Sequence, residues 1–416
     1  MFSTANTIQR QTTDISQKSP GIESALKLMT DAASKSVPVS DKYQIKILKT
    51  VHDIFRFETQ WRKLEEACAK PTNVFQSYDW CANWVKTCAV GNDCYSIHIV
   101  TVSKNNECLL IWPMMTTCSG PFHIMRWLSE PYSQYGDVLL NPNCNVEEVL
   151  SLGWVQLQQH PNANSIRFRH VREDAAIAAF LQQHAQPDAH IDYAPCLEIK
   201  KFPTEQAYDQ RYNKSQRRRR KRIRKNLEQY GPVVFDTNST GPSFAKTLKL
   251  AITEKRKWLK QRGLYSKPIM SNELETFFSS IAENGKTLET RASHLTAGEK
   301  DVSFEIGLRF KNHHFGYITA HEASLTNASP SRLHMDLSQR CAINDGLDTF
   351  DLMVPSDPHK KTWSSTQIET RDYYTHLNFI GALYDAVYLK LVRPCVRWLY
   401  LKAPSNIRRY FTRLVS

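Results

Sequence analysis

The residues whose types and spacing could do chemistry are concentrated between Ser329 and Trp363. Ser329-Pro330-Ser331-Arg332 stands in front of a helix-forming run. A serine at the cap and a proline in the first position leave backbone N–H groups free at a helix end whose dipole favours an anion, and Arg332 adds charge there. A Ser-Pro pair is also an ordinary way to begin a helix. Downstream, Phe350-Asp351-Leu352 sets a carboxylate at a strand end, and His359-Lys360 is followed three residues later by Trp363. Loop lysines are mostly solvated, and Lys361 shows the ambiguity. A second cationic feature is denser: residues 211–225 hold ten basic and no acidic side chains. Like charges at i and i+4 repel, so the run calls for an anionic partner, with a solvated face as the plain alternative. It has no interleaved aromatics and no recognisable nucleic-acid module around it, so phosphates of a nucleotide-linked or lipid-linked molecule suit it better than nucleic acid.

These residues need elements to position them, and 416 residues suit two domains of roughly 150 to 200 each. Apolar residues make up 41% of the chain, enough for real cores. Ten cysteines are scattered without a C-x-x-C pair, which suggests neither a zinc module nor a disulfide framework. The net charge of +13 is local: the run at 211–225 and the tail at 385–416 together carry +16, and the remainder sums to −3. Residues 1–40 contain twelve Ser or Thr and one aromatic, Phe2, and read as a disordered tail.

From Tyr43 the pattern is mixed α/β. A strand at Tyr43-Gln-Ile-Lys-Ile-Leu leads to a helix over 54–68 with Asp53 as N-cap, a second helix after Phe75-Gln-Ser, and a hairpin around Lys104-Asn-Asn-Glu. Short strands at 122–128, 137–140 and 165–171 then alternate with helices near 146–159 and 174–184. After a strand at 193–199 the basic helix runs to Tyr230-Gly231-Pro232, and the grammar restarts: strand 233–235, helix 243–262 ended by Gly263, a further helix after Asn272, then strands 302–310 and 315–321 across the turn Lys311-Asn-His-His. The repetition suggests a diverged duplication, with units at 41–200 and 201–376. A basic tail at 377–416, with Trp398, Tyr400 and Tyr410 among arginines, suits the surface of an anionic membrane.

The stretch Gly316-Tyr-Ile-Thr-Ala-His, Ser329-Pro330-Ser331, Gly346, Phe350-Asp351 and Lys360-x-x-Trp363 resembles the CelD-like, cellulose-biosynthesis-associated branch of the GNAT acyltransferases. Phe75-Gln-Ser with Trp80, the basic helix near Arg217, and Trp258 before Gly263 are similar too, so the likeness spans roughly residues 43 to 375. Two positions depart from the family pattern: Ser331 stands where it has Gly, and His359 where it has Tyr. The resemblance implies two GNAT-like units in tandem, as in Fem-type aminoacyltransferases, and acyl-CoA, acetyl-CoA first, as co-substrate without a metal. It implies further that Ser329, Ser331 and Arg332 hold the carrier, and that Lys360 stabilises a tetrahedral oxyanion. Asp351 would orient the acceptor amine or take its proton, with Glu305, His321 and Glu322 as alternative bases. His313 and His314 read as turn residues. Arg217, Arg218, Arg220, Trp258 and Trp363 would contact the acceptor.

The expected activity is therefore acyl transfer to an amine or hydroxyl of an envelope or exopolysaccharide precursor, an anionic glycan or a nucleotide-linked or lipid-linked acceptor. The alternative is a non-catalytic tandem GNAT that holds polyanions, nucleic acid included. The chain has no stretch of ~18 apolar residues and no secretory layout at its start, so the expected location is cytoplasmic, with peripheral attachment to the inner face of the membrane as a further candidate.

Overall fold

The computed structural model describes residues 42–392 together with Cys395 and Lys402. The expected tails, 1–40 and most of 393–416 with Trp398, Tyr400 and Tyr410, lie outside the described residues. Among the described residues thirteen strands form one continuous sheet: β1 (Gln44–Leu48), β2 (Tyr95–Lys104), β3 (Glu107–Ser119), β4 (Phe122–Trp127), β5 (Leu139–Leu140), β6 (Ser165–Arg172), β7 (Gln186–Glu198), β8 (Val233–Asn238), β9 (Glu289–Ala297), β10 (Lys300–Phe310), β11 (His313–His321), β12 (Thr349–Asp351) and β13 (Thr366–His376). Their order is β1-β2-β3-β4-β6-β13-β7-β12-β11-β10-β9-β8, with β5 beside β3.

Read from each edge inward, that order is the same series twice. Four antiparallel strands, β1 to β4 or β8 to β11, are followed by one parallel neighbour, β6 or β12. The expected tandem arrangement is present. The halves also exchange their last strands: β7 of the first pairs with β12 of the second, and β13 of the second pairs with β6 of the first, and the two exchanged strands pair with each other. Backbone hydrogen bonds thus run unbroken from one half to the other.

Helices cover both faces. On one face, Glu58–Cys68, Tyr78–Trp84, Gly241–Arg262 and Glu273–Asn284 enclose a core that contains side chains of both halves. Trp80 packs edge-on against Phe277 at 4.8 Å and beside Tyr317 at 5.9 Å. The buried Asp79 carboxylate accepts the backbone N–H groups of Lys286 (2.8 Å), Thr287 (2.7 Å) and Leu288 (3.1 Å). Trp80 of the Phe75 to Trp80 motif therefore sits where the halves meet. On the other face the basic helix Lys214–Glu228 and the Ser-Pro helix Pro330–Asn344 share an apolar patch of Ile223, Leu227, Leu295 and Leu333.

Several local expectations need correction. The helix expected over 54–68 is two helices, Val51–Arg56 and Glu58–Cys68, and Thr50 rather than Asp53 is the N-cap. Asp53 occupies the third position and returns a bond to the cap, so the pair forms a capping box. The strand expected at 137–140 is only Leu139–Leu140, because Asp137 turns inward to accept the N–H groups of Ala176 and Ile177, each at 3.1 Å. Those same bonds delay the next helix, expected from 174, to Ala178–His184.

Candidate active site

In both halves the parallel pairing is brief, and its end opens a wedge in the sheet. In the first half only Ile124 and Met125 pair with Ser165 and Ile166. That wedge is bridged by the protein itself, which leaves a pocket of ≈ 170 Å³ beside Trp127, Arg169 and His170. Trp127 lies across the wedge and donates its indole N–H to Arg169 O at 3.0 Å, and the returning chain brings Gly136 N to 3.3 Å from His170 O. A Cβ on Gly136 would stand 1.8 Å from Trp127 Nε1, so only glycine allows the plug.

In the second half, His313 to Phe315 pair with Thr349 to Asp351, after which Leu352 N bonds to Pro195 O and leaves with β7. β11 continues to His321 paired with β10 on one edge, its other edge no longer paired with β12. A bulge at Tyr317 shifts its register with β10, and the Tyr317 hydroxyl is anchored on Tyr132 O at 2.7 Å. Two lysines meet the backbone on opposite walls of this wedge. Lys255, from the long helix Gly241–Arg262, donates to Thr319 O at 3.1 Å. Lys360, from the short helix Pro358–Lys361 capped by Asp357, donates to Met353 O and Pro355 O, each at 2.9 Å. Burial lowers the Lys360 ammonium from its ordinary value, against the pull of Asp357, Asp351 and Asp192. Lys255 goes further, to about 8, through burial first and then the Lys360 and Arg262 charges.

Around this pair the structure gathers several of the expected residues. Trp258 is half-buried, with Lys255 Nζ 4.8 Å and the Arg262 guanidinium 4.6 Å from its ring centroid. Ser331, at the position where the family pattern has Gly, places its hydroxyl 2.9 Å from His321 Nδ1. Burial, and then Lys255 and Arg262, hold that imidazole below its usual value. Ser329 occupies the cap position with Pro330 behind it, but its backbone is left-handed (φ 56°) and its side chain makes no capping bond. The expected hydroxyl cap is thus absent, and the first-turn N–H groups lack that partner. Arg332 is held down by burial and then by Arg219 of the basic helix, so two arginines approach the same helix end.

Other expected residues lie elsewhere. Asp351 is 2% exposed and committed: it accepts from Tyr135 Oη (2.7 Å), Arg172 Nη1 (2.9 Å) and Met353 N (2.7 Å). It ties the halves together beneath the wedge. Glu305 is equally buried, under the Ser-Pro helix, with His314 Nε2 at 2.9 Å from Oε1. Burial raises its carboxyl, and His314 outweighs that and holds it low. His313 and His314 are strand residues, because the turn ends at Asn312. Trp363 belongs to a buried cluster with Tyr208 and Met335. Arg220 is taken up by Asp336 (2.6 Å) and stacks on Tyr212 and Trp363, 3.3 and 4.7 Å from the ring centroids. Arg217 and Arg218 stay exposed and line a groove of ≈ 1100 Å³ between the basic and Ser-Pro helices. Glu322 caps the short turn after β11 by accepting from Ser324 N. No group of three or more metal-ligating side chains occurs among the described residues.

Residues 214–361, which carry β11, Lys255 and Lys360, match the family model for an acetyltransferase (GNAT) domain. The second half thus carries a GNAT-type acyltransferase domain over the matched segment. Solved structures extend the likeness of fold over both halves. FemX superposes with a TM-score of 0.56 at 10% identity, over 79% of this chain and 98% of its own. A conserved protein of unknown function from Bacteroides thetaiotaomicron VPI-5482 gives 0.50 at 10% identity, over 79% and 99%. A tandem GNAT protein from the clavulanic acid biosynthesis pathway gives 0.46 at 8%, over 81% and 99%. A search by sequence among curated proteins returned no match. A GNAT domain implies acyl-CoA as co-substrate, and the open second wedge lies inside the matched segment, whereas the plugged first wedge lies outside it.

Sequence reasoning missed Lys255. It is one of five lysines on its helix, and nothing in their spacing separates the one that reaches β11 from those that face water.

Proposed function

We propose that the protein transfers an acyl group, acetyl first, from acyl-CoA to an amine or hydroxyl of an anionic glycan precursor of the envelope or exopolysaccharide, within the CelD-like branch. The observation that carries the reading is the open wedge beside β11 with Lys360 on its far wall. An ammonium has three donors, and Lys360 spends two on carbonyls that fix its direction. The third is available to a developing oxyanion, which a preorganised donor in a water-poor site stabilises most. Ser329, Ser331 and Arg332, with Arg219, would receive the carrier's phosphates at the helix N-terminus. Arg217 and Arg218 would meet phosphates of a nucleotide-linked or lipid-linked acceptor, and Trp258 would flank the reacting group.

The groove of ≈ 1100 Å³ beside the basic helix supports a second reading, a protein that only holds polyanions. Free thiol released from acetyl-CoA, with and without nucleotide-linked sugars, separates the two. Acceptor-dependent release supports the transferase. Salt-sensitive binding of polyanions without any release supports the holder.

A further inference from the structure

Ala320 O of β11 is met by Ser303 on β10 at 2.9 Å. Carbonyls alternate along a strand, so Thr319 O turns to the opposite edge, the one that lost β12. That is the carbonyl Lys255 Nζ holds, which puts a primary amine on the free edge of β11, facing Lys360 across the wedge. Two ammonium groups so placed repel, and the one with less carboxylate support gives up its proton first. Lys360 has Asp357, Asp351 and Asp192 acting on it. Lys255 is faced by Lys360 and Asp357 from the short helix, Arg262 from its own helix and His321 from β11, with Glu254 turned to Lys257 at 2.6 Å.

We propose that Lys255 is the base of acyl transfer in this wedge, taking the proton of the attacking acceptor while Lys360 holds the oxyanion. This rests on the acyl-transfer reading above. In the step, the acceptor nitrogen or oxygen attacks the thioester carbon and forms the new bond, and the C=O π pair moves onto oxygen. Its proton passes to the lone pair of neutral Lys255 Nζ. When the C=O bond re-forms, the C–S bond breaks, and the thiolate takes the proton back from Lys255. Base, thiol and acylated acceptor are all neutral in balance, and no further reactant is consumed. With its ammonium lowered to about 8, Lys255 is about one-tenth unprotonated at pH 7 and about half at pH 8, and its conjugate acid is matched to a thiolate leaving group.

Two measurements on the full chain test this. Trace acetylation by acetic anhydride across about pH 6.5 to 10.5, read at Lys255 by peptide mass spectrometry, should give a half-point near 8 that moves upward in Lys360→Met. Thiol release from acetyl-CoA, with glucosamine, with UDP-N-acetylglucosamine and with water alone, should fall ~10²-fold or more in both Lys255→Met and Lys255→Arg. The arginine variant keeps charge and donors but cannot release its proton, so a merely structural or electrostatic role would be rescued by it. A half-point at the ordinary lysine value, or a Lys255→Arg variant at the wild-type rate, overturns the base assignment while leaving acyl transfer standing. A half-point near 8 with no thiol release by the wild type overturns the acyl-transfer reading and the base role with it.

Discussion

Asp351 divides the two ways of reading this site, and its removal can be assigned a magnitude. Its carboxylate is bonded to Arg172, Tyr135 and Met353 N, and Arg172 turns its other edge to Asp174 at 2.8 and 2.9 Å. Asp351→Ala removes one partner from a buried ion pair, a change that costs about 3–5 kcal/mol because the other charge stays buried. It also strands the Tyr135 hydroxyl and the Met353 N–H, at about 1–3 kcal/mol each where water does not reach them. The Asp174 contacts of Arg172 survive and offset part of this, so we expect a loss of about 4 kcal/mol or more. Urea unfolding followed by tryptophan fluorescence measures it as a shift in midpoint at unchanged slope. In Asp351→Ala/Arg172→Met the stranded charge is gone, and part of the loss should return as a coupling energy above about 1 kcal/mol. A loss below about 1 kcal/mol together with a ~10²-fold fall in turnover would refute the structural role and return Asp351 to the chemistry.

Lys360→Ala should behave in the opposite way, with turnover down ~10²-fold, nearly unchanged urea stability, and Lys361→Ala close to wild type. Arg332→Ala should raise KM for acetyl-CoA in a salt-dependent manner yet leave acetyl-pantetheine, which lacks the phosphates, unaffected; equal effects on both would remove the phosphate role. Neutralising Arg217 and Arg218 together should weaken a nucleotide-linked acceptor and flatten its salt dependence, and unchanged affinity across salt would leave them as a solvated face. His98 and His334 are lowered to about 4, chiefly by burial. Their folded values lie below the unfolded value of ~6.5, so the unfolded chain binds more protons between the two. Stability should therefore be whole above about pH 6.5 and decline toward pH 4, by up to ~3 kcal/mol per histidine. Urea midpoints that stay level from about pH 7.5 to 4.5 would contradict this.

Where the determinants are local, the sequence carried them. The hairpins around Lys104 to Glu107 and Lys311 to His313, the long helix ended by Gly263 with φ 62°, and the Ser-Pro helix start all form where short-range chemistry calls for them. The roles of polar residues were less legible because burial decides them. Phe350-Asp351 looks the same in sequence whether the carboxylate meets solvent or Arg172, 179 residues away. Trp363 matched a family spacing yet packs into the core, since the following β13 departs toward the other half. The exchange of β7 and β13 leaves no trace in periodicity: a strand's alternation fixes which face is buried and says nothing about which neighbour it finds.

That exchange bears on why one wedge is open and the other plugged. A single-half sheet would end at its parallel strand, β6 or β12, and expose an edge ready to pair with another chain. Lending each half's last strand to the other removes both edges and fixes the halves against each other through backbone bonds, which are less tolerant of slippage than side-chain packing. Trp127 and Gly136 then close the first wedge, so the first half supplies Tyr132, Tyr135 and Arg172 as a fixed floor under the second. Lys360 depends on that floor. The carbonyls that aim its ammonium, on Met353 and Pro355, follow Asp351 directly in the chain, and Asp351 is held by Tyr135 and Arg172 of the other half. For the oxyanion role proposed for Lys360, the precision required, within about 0.5 Å, would thus come from residues of both copies even though the open wedge belongs to the second.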